Sequence, residues 1–235
     1  MIHFHIITLF PDSIEAYLSS SILGRAREAK PAKAGRPRKE PLIKISYYDP
    51  KKYAVGTHRR VDQRPYGGGP GMVLEPMAML RAASAATKRM ARNGAASSSR
   101  PRPHVSTIFF TTDGAPFDEA MAKKLSKKRD ILLISGRYEG VDARVPKILK
   151  AKSVSIGPFV VTGGELPAAT VVDAVSRFIP GVLGRAESLE RSRVSSPEVY
   201  TRPETLIWKK KMYSVPDILR SGHHAKINMW KQRDR

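Results

Sequence analysis

The 235-residue chain predicts an α/β fold built on a parallel sheet, and three observations carry that expectation. Short apolar or alternating runs recur between stretches of helical periodicity, the pattern of strands joined by helices. Hydrophobic residues make up 41% of the chain, enough to bury a sizeable core. No apolar run approaches the roughly 20 residues of a spanning helix, and the start, Met1-Ile2-His3-Phe4-His5, lacks the charged-then-apolar order of a signal peptide.

Residues 2–8 alternate and then turn apolar, as a first strand does, and Pro11-Asp12-Ser13 leads into a short amphipathic helix from Ile14 to Ile22. Residues 42–48 alternate again as a strand. A helix is expected over 75–92, a strand over 105–111, a helix over 117–128 and a strand over 130–135. Extended segments around 152–161 lead into a long apolar helix over 165–179. Residues 25–40 hold seven cations, two anions and two prolines, and residues 88–103 hold five cations and no acid. Both read as basic loops inserted in a core domain over 1–184. A polar linker is expected over 185–204, and a small helical unit over 205–235.

Charge narrows the function. Lys plus Arg number 42 against 21 Asp plus Glu, a net charge of +21. Such an excess repels itself in the compact state and points to an anionic partner, nucleic acid before membrane. There is no cysteine, which excludes disulfides, thiolate zinc sites and a Cys nucleophile. The histidines show no HExxH spacing, so no metal site is expected, and surface or loop roles are expected for them.

Five places along the chain could carry chemistry. Tyr66 to Met72 places four glycines in five positions, open to a phosphate or a flat ring, although a tight structural turn explains them as well. The cations of His58-Arg59-Arg60 beside it favour a phosphate backbone. Ile134 to Asp142 follows an apolar strand, where open α/β sheets hold ligands; a solvated loop is the plainer reading. Ser155 to Pro167 sets an apolar run between glycines, a slot suited to adenine or an ordinary buried hairpin. Arg177 lies four residues after Asp173, so an intrahelical ion pair explains it before any role at a substrate oxygen does. The Lys209-Lys210-Lys211 run reads as a solvated face, with phosphate contact as the other reading.

Taken in order, several strings resemble the tRNA (guanine-N1)-methyltransferase family of the knotted SPOUT class. They are Ile7 to Pro11, Val61 to Met72, Gly136 to Asp142, Ser155 to Gly157, Thr162 to Gly184, Tyr200 to Pro203 and Val215 to Trp230. The resemblance implies a homodimer with a C-terminal trefoil knot in the sheet domain, and S-adenosylmethionine held in the knot. Carried over by motif, the cofactor-binding residues are Gly136, Tyr138, Glu139, Gly140, Ile156, Gly157, Pro158, Phe159, Val160, Val161, Gly163 and Gly164. The implied partner is tRNA, methylated on N1 of the guanosine immediately 3′ of the anticodon (position 37), in the cytoplasm and away from membranes. Arg177 matches the family's catalytic arginine, which moves its reading to guanine O6. The family's general base is an aspartate, but counting eight residues from Gly184 reaches Ser192. Glu190 is the nearest carboxylate and the expected substitute, with Glu187 behind it. The C-terminal unit is shorter than the family's tRNA-gripping domain. An active enzyme is the first reading. A cofactor- and tRNA-binding protein without catalysis, or a basic RNA-binding protein without cofactor, are the alternatives. Whether a divalent ion assists is open.

Overall fold

The structure, a computed structural model, describes residues 1–29, 40–56, 58–95, 105–183 and 198–232. The chain divides into two compact units, Met1–Val182 and Leu183–Arg235.

The first unit is a five-stranded parallel sheet: β1 (Ile2–Ile7), β2 (Ile43–Tyr48), β5 (Ser106–Pro116), β6 (Asp130–Ile134) and β7 (Lys152–Ser155), in the order β2-β1-β6-β5-β7. A parallel sheet joined by helices has both faces covered, so its central strands bury both sets of side chains. In β6 the alternation divides cleanly. Ile131 and Leu133 enter one core with α1 (Asp12–Leu18), α2 (Ser21–Arg27), α4 (Glu119–Leu125) and α6 (Glu165–Ser176). Leu132 and Ile134 enter the other, with α3 (Pro76–Ala95) and α5 (Arg144–Ile148). Each such side chain contributes roughly 1.5–3 kcal/mol by leaving water. Two-residue strands β3 (Asp62–Gln63) and β4 (Val73–Leu74) pair beneath the glycine loop.

Local chemistry moves several boundaries. The single helix expected from Ile14 to Ile22 is two, because the hydroxyls of Ser19 and Ser20 take the carbonyls of Glu15 (2.7 Å) and Tyr17 (2.8 Å). Such serines compete with the helical ladder and end it. Of the basic insert at 25–40, residues 25–27 belong to α2 and residues 30–39 lie outside the described residues. The start of the second basic stretch is likewise the end of α3.

The histidines of β1 overturn their expected surface role. His3 and His5 are 3% and 0% exposed, because β1 lies between β2 and β6 with both faces covered. Their polarity is absorbed locally. His5 Nε2 lies 3.1 Å from the Asp130 carboxylate, which can only accept, and its Nδ1 lies 2.9 Å from the Tyr48 hydroxyl. His3 Nε2 meets the Ser46 hydroxyl at 2.8 Å, while its Nδ1 is buried without a hydrogen bond. The two rings lie 3.8 Å apart, and potential ligand atoms of His3, His5 and Asp130 fall within 4.8 Å of one another. Burial first, and then the neighbouring His5, push His3 down from 6.5 to about 3.

That shift has a consequence for stability. The unfolded chain takes up a proton at His3 below pH 6.5, whereas the folded chain resists until about 3. Stability is therefore full above pH 6.5 and falls as pH drops through that window, by up to ~2 kcal/mol at pH 5 from this group. Urea unfolding at pH 7.5 and pH 5 should show the loss, and His3→Gln should reduce the difference between the two pH values.

The second unit was expected to be helical, yet its first element is an antiparallel hairpin, β8 (Thr205–Trp208) and β9 (Lys211–Ser214). Short helices α7 (Asp217–Arg220) and α8 (His224–Gln232) follow. Among the described residues, no helix is long and apolar enough to cross a membrane.

Candidate functional site

A cleft of about 370 Å³ opens beyond the carboxyl ends of β6 and β7. Strand β5 shapes one wall. Val154 of β7 pairs with both Phe110 and Ala115, so the intervening residues leave the ladder, and Thr111 and Thr112 face the opening. The loop 136–141 and the segment 155–164 supply most of the remainder. Two stretches that are distant in sequence thus border one space. All of the expected cofactor residues except Pro158 line it, and Pro158 is exposed beside it.

Three hydrogen bonds to backbone carbonyls hold the stretches together. Gly164 N–H donates to the Gly136 carbonyl (2.9 Å), and the Ser135 hydroxyl donates to the Gly164 carbonyl (3.0 Å). A Cβ on Gly164 would stand 2.5 Å from Ser135 Cα and 2.8 Å from Gly136 N, so only glycine permits this approach. Arg137 adds the third contact, its guanidinium donating to the Thr162 carbonyl at 3.3 Å.

Arg137 is itself fixed from below. It lies over the Phe10 ring at 4.6 Å, and its Nε sits 2.9 Å from the buried Glu165 carboxylate. That pair is close without hydrogen-bond alignment, so Coulomb attraction rather than a directed bond joins it. The other Glu165 oxygen accepts the Thr8 hydroxyl at 2.7 Å. No individual role was read from the sequence for Ser135, Arg137, Glu165 or Thr8, although the first three stand within segments read as able to carry chemistry. The available signal was an acid immediately after Gly163-Gly164 and an arginine inside Gly136 to Asp142.

The glycine loop joins the same region. Gly67, Gly68, Gly69 and Gly71 all have φ between 81° and 109°, a region other residues enter only with strain. Glu139 N–H donates to the Met72 carbonyl (3.0 Å), and Leu74 N–H to the Gly140 carbonyl (2.9 Å), so this loop abuts the rim of the cleft. Close by, hydrogen bonds from the Arg144 guanidinium hold the Asp142 carboxyl below its ordinary range. Tyr138, more than half exposed, sits at φ 58° at the mouth, a left-handed backbone of the kind that collects at binding sites.

Arg177 is elsewhere. It caps the far end of α6, whose first turn borders the cleft through Gly163, Gly164 and Pro167. Twelve helical residues span ~18 Å, beyond the reach of one side chain. Arg177 lines a second groove instead, about 420 Å³ between α1 and α6, with Tyr17, Leu166 and Asp173. There Asp173 accepts the Tyr17 hydroxyl, which raises the Tyr17 phenol above its usual range. Glu187, Glu190 and Ser192 lie outside the described residues.

The cleft has the dimensions of a small-molecule site, with exposed backbone groups and apolar walls from Phe159, Val160 and Pro167. Comparisons with known proteins agree on one family. The chain matches the family described as tRNA (Guanine-1)-methyltransferase TrmD over residues 2–235. A tRNA (guanine-N(1)-)-methyltransferase of Pseudoalteromonas translucida (strain TAC 125) is 39% identical over 232 residues, covering 96% of this chain and 80% of that protein. One of the same name from Anaeromyxobacter sp. (strain Fw109-5) is 40% identical over 236 residues, covering 97% and 84%. Another, from Lachnoclostridium phytofermentans, is 36% identical over 252 residues, covering 98% and 85%. With matches spanning nearly its full length, the chain belongs to the tRNA (guanine-1)-methyltransferase family.

Proposed function

We propose that this protein transfers a methyl group from S-adenosylmethionine to N1 of the guanosine immediately 3′ of the tRNA anticodon. The observation that carries the reading is the cleft itself, in which two glycine-opened stretches meet around a space sized for a nucleoside. The donor set fits that group. Backbone amides and carbonyls around 156–164 can read an adenine edge, and Phe159, Val160 and Pro167 can cover its face. Bound there, S-adenosylmethionine supplies a methyl carbon made electrophilic by its sulfonium, and it leaves as the neutral thioether.

The chain must then prepare the base. Guanine N1 carries a proton, so a carboxylate has to take it as the N1–carbon bond forms. Glu190 is our assignment for that base, with Glu187 behind it. Negative charge then moves toward O6, where a guanidinium stabilises it, the role we give Arg177.

Because Arg177 stands ~18 Å along α6 from its own cleft, that role requires a second copy to deliver it. This supports a homodimer in which each copy completes the other's site. The groove between α1 and α6, with Tyr17 and Leu166 more than half exposed, offers the apolar surface for such pairing. The return of residues 163–164 onto Ser135 and Gly136 supports the knotted arrangement of the SPOUT class. A cytoplasmic location follows from the tRNA substrate.

The test is incorporation of labelled methyl into a tRNA transcript with guanosine 3′ of the anticodon, beside one with adenosine there. Incorporation into the first alone, recovered as N1-methylguanosine, is the expected result. No incorporation into either, or equal incorporation into both, would overturn the assignment.

A further inference from the structure

His3, His5 and Asp130 form a buried polar cluster that methyl transfer does not use. All three are less than a tenth exposed, and none of them lines the cleft. Strand geometry brings them together. Residues two apart on a strand share a face, which sets His3 and His5 side by side. Asp130 stands opposite His3 in the register of β1 and β6. Spacing rules written for helices, such as HExxH, do not detect a pair of this kind.

Each of the three gives one polar atom to an outer partner. His3 Nε2 lies 2.8 Å from the Ser46 hydroxyl, and His5 Nδ1 lies 2.9 Å from the Tyr48 hydroxyl. Asp130 Oδ2 accepts from Arg129 Nε at 3.1 Å. That leaves His3 Nδ1, His5 Nε2 and Asp130 Oδ1. Metal-binding imidazoles and carboxylates show this division, with one atom on the ion and the other anchored by a neighbour.

The distances suit a small ion. His5 Nε2 and Asp130 Oδ1 are 3.1 Å apart, close to the ~3.3 Å between ligands bonded tetrahedrally at about 2.0–2.1 Å. One atom from each residue lies within 4.8 Å of the other two, so closing onto an ion takes ~1.5 Å at most. His3 Nδ1 is buried and, among the described residues, has no hydrogen bond, a cost that coordination would remove.

The donor set selects the ion. Two imidazoles and one carboxylate suit zinc, whereas magnesium and calcium prefer shells of oxygen. Three protein ligands leave the fourth position of tetrahedral zinc to a small molecule such as water. Arg129, Lys44 and Arg89 act on the cluster as cations, so its affinity falls below that of a four-ligand structural site.

We propose that His3, His5 and Asp130 bind one zinc ion, which ties β1 to β6 in the middle of the sheet. The site is separate from the cofactor cleft and independent of the methyl-transfer reading.

The full chain, refolded from urea with zinc sulfate and then desalted, should retain one zinc per chain by elemental analysis. X-ray absorption at the zinc edge should show two imidazole nitrogens and oxygen at about 2.0–2.2 Å. Free zinc at about 100 times the dissociation constant should raise the thermal midpoint by about 5–10 °C. His3→Leu, which keeps bulk without a ligand atom, should weaken zinc binding by at least about 100-fold. The exposed pair His223 and His224 is the competing site, and His223→Ala with His224→Ala should leave retention unaltered. A parent chain that retains no zinc, or whose zinc has a shell of oxygen alone, would overturn the proposal. So would retention unchanged by His3→Leu, or lost with the exposed pair. The absorption spectrum is read on the parent chain, so it decides the matter even where His3→Leu fails to fold.

Discussion

Replacing Arg177 by alanine is expected to lower methyl transfer to tRNA about 10²–10³-fold while leaving S-adenosylmethionine affinity unchanged. The size is that of losing one preorganised group at a developing oxyanion. The unchanged affinity follows from placement, since Arg177 lies at the opposite end of α6 from the cleft that its own chain forms. Lysine should not restore full activity, because a hydrated point charge does not reproduce the planar donor fork of a guanidinium. Placement also yields a sharper form of the prediction. Mixed with a variant whose cleft is blocked, Arg177→Ala should regain activity in mixed dimers, where the partner brings an intact arginine to an intact cleft. Absence of recovery, with mixed dimers verified by mass, would mean that Arg177 does not act across copies.

Gly164→Ala is the second large effect, and the reason is steric. Its new Cβ would meet Ser135 Cα at 2.5 Å and Gly136 N at 2.8 Å, and both are backbone atoms that cannot swing aside. The segment 155–164 must then withdraw, which breaks the Gly164–Gly136 and Ser135–Gly164 hydrogen bonds. We expect S-adenosylmethionine affinity to fall at least 100-fold by calorimetry, with a stability loss of ~1–3 kcal/mol from overpacking. Gly140→Ala provides the contrast. A Cβ there meets nothing within 4 Å, so its cost is limited to the strain of φ 126°. If the two variants behaved alike, contact between the stretches would not be what shapes the cleft.

The sequence disclosed whatever local periodicity encodes, and little that depends on packing between distant elements. The apolar run of β6 and the alternation of β2 announced themselves, because strands in a covered sheet need those residues. The glycines of the cleft were legible for the same reason: close approach leaves a residue-type mark. Burial of His3 and His5 was not, since their alternation in β1 fits a half-exposed strand and only the cover over both faces reverses it. The hairpin β8–β9 escaped because Lys209-Lys210 carries none of the glycine or asparagine that marks a tight turn. Arg137 and Glu165 are 28 residues apart, and only the fold brings their charges to 2.9 Å. The family resemblance likewise matched Arg177 to a role without showing that it lies a helix length from its own cleft.

Hydrogen exchange, followed by mass spectrometry with and without S-adenosylmethionine, tests the methyl-donor site most directly, because it reports where the ligand sits rather than whether it binds. Slowed exchange in peptides covering 136–141 and 156–164, at one ligand per chain, is the predicted result. Saturable binding that protects neither stretch, or protects only the groove between α1 and α6, would contradict it.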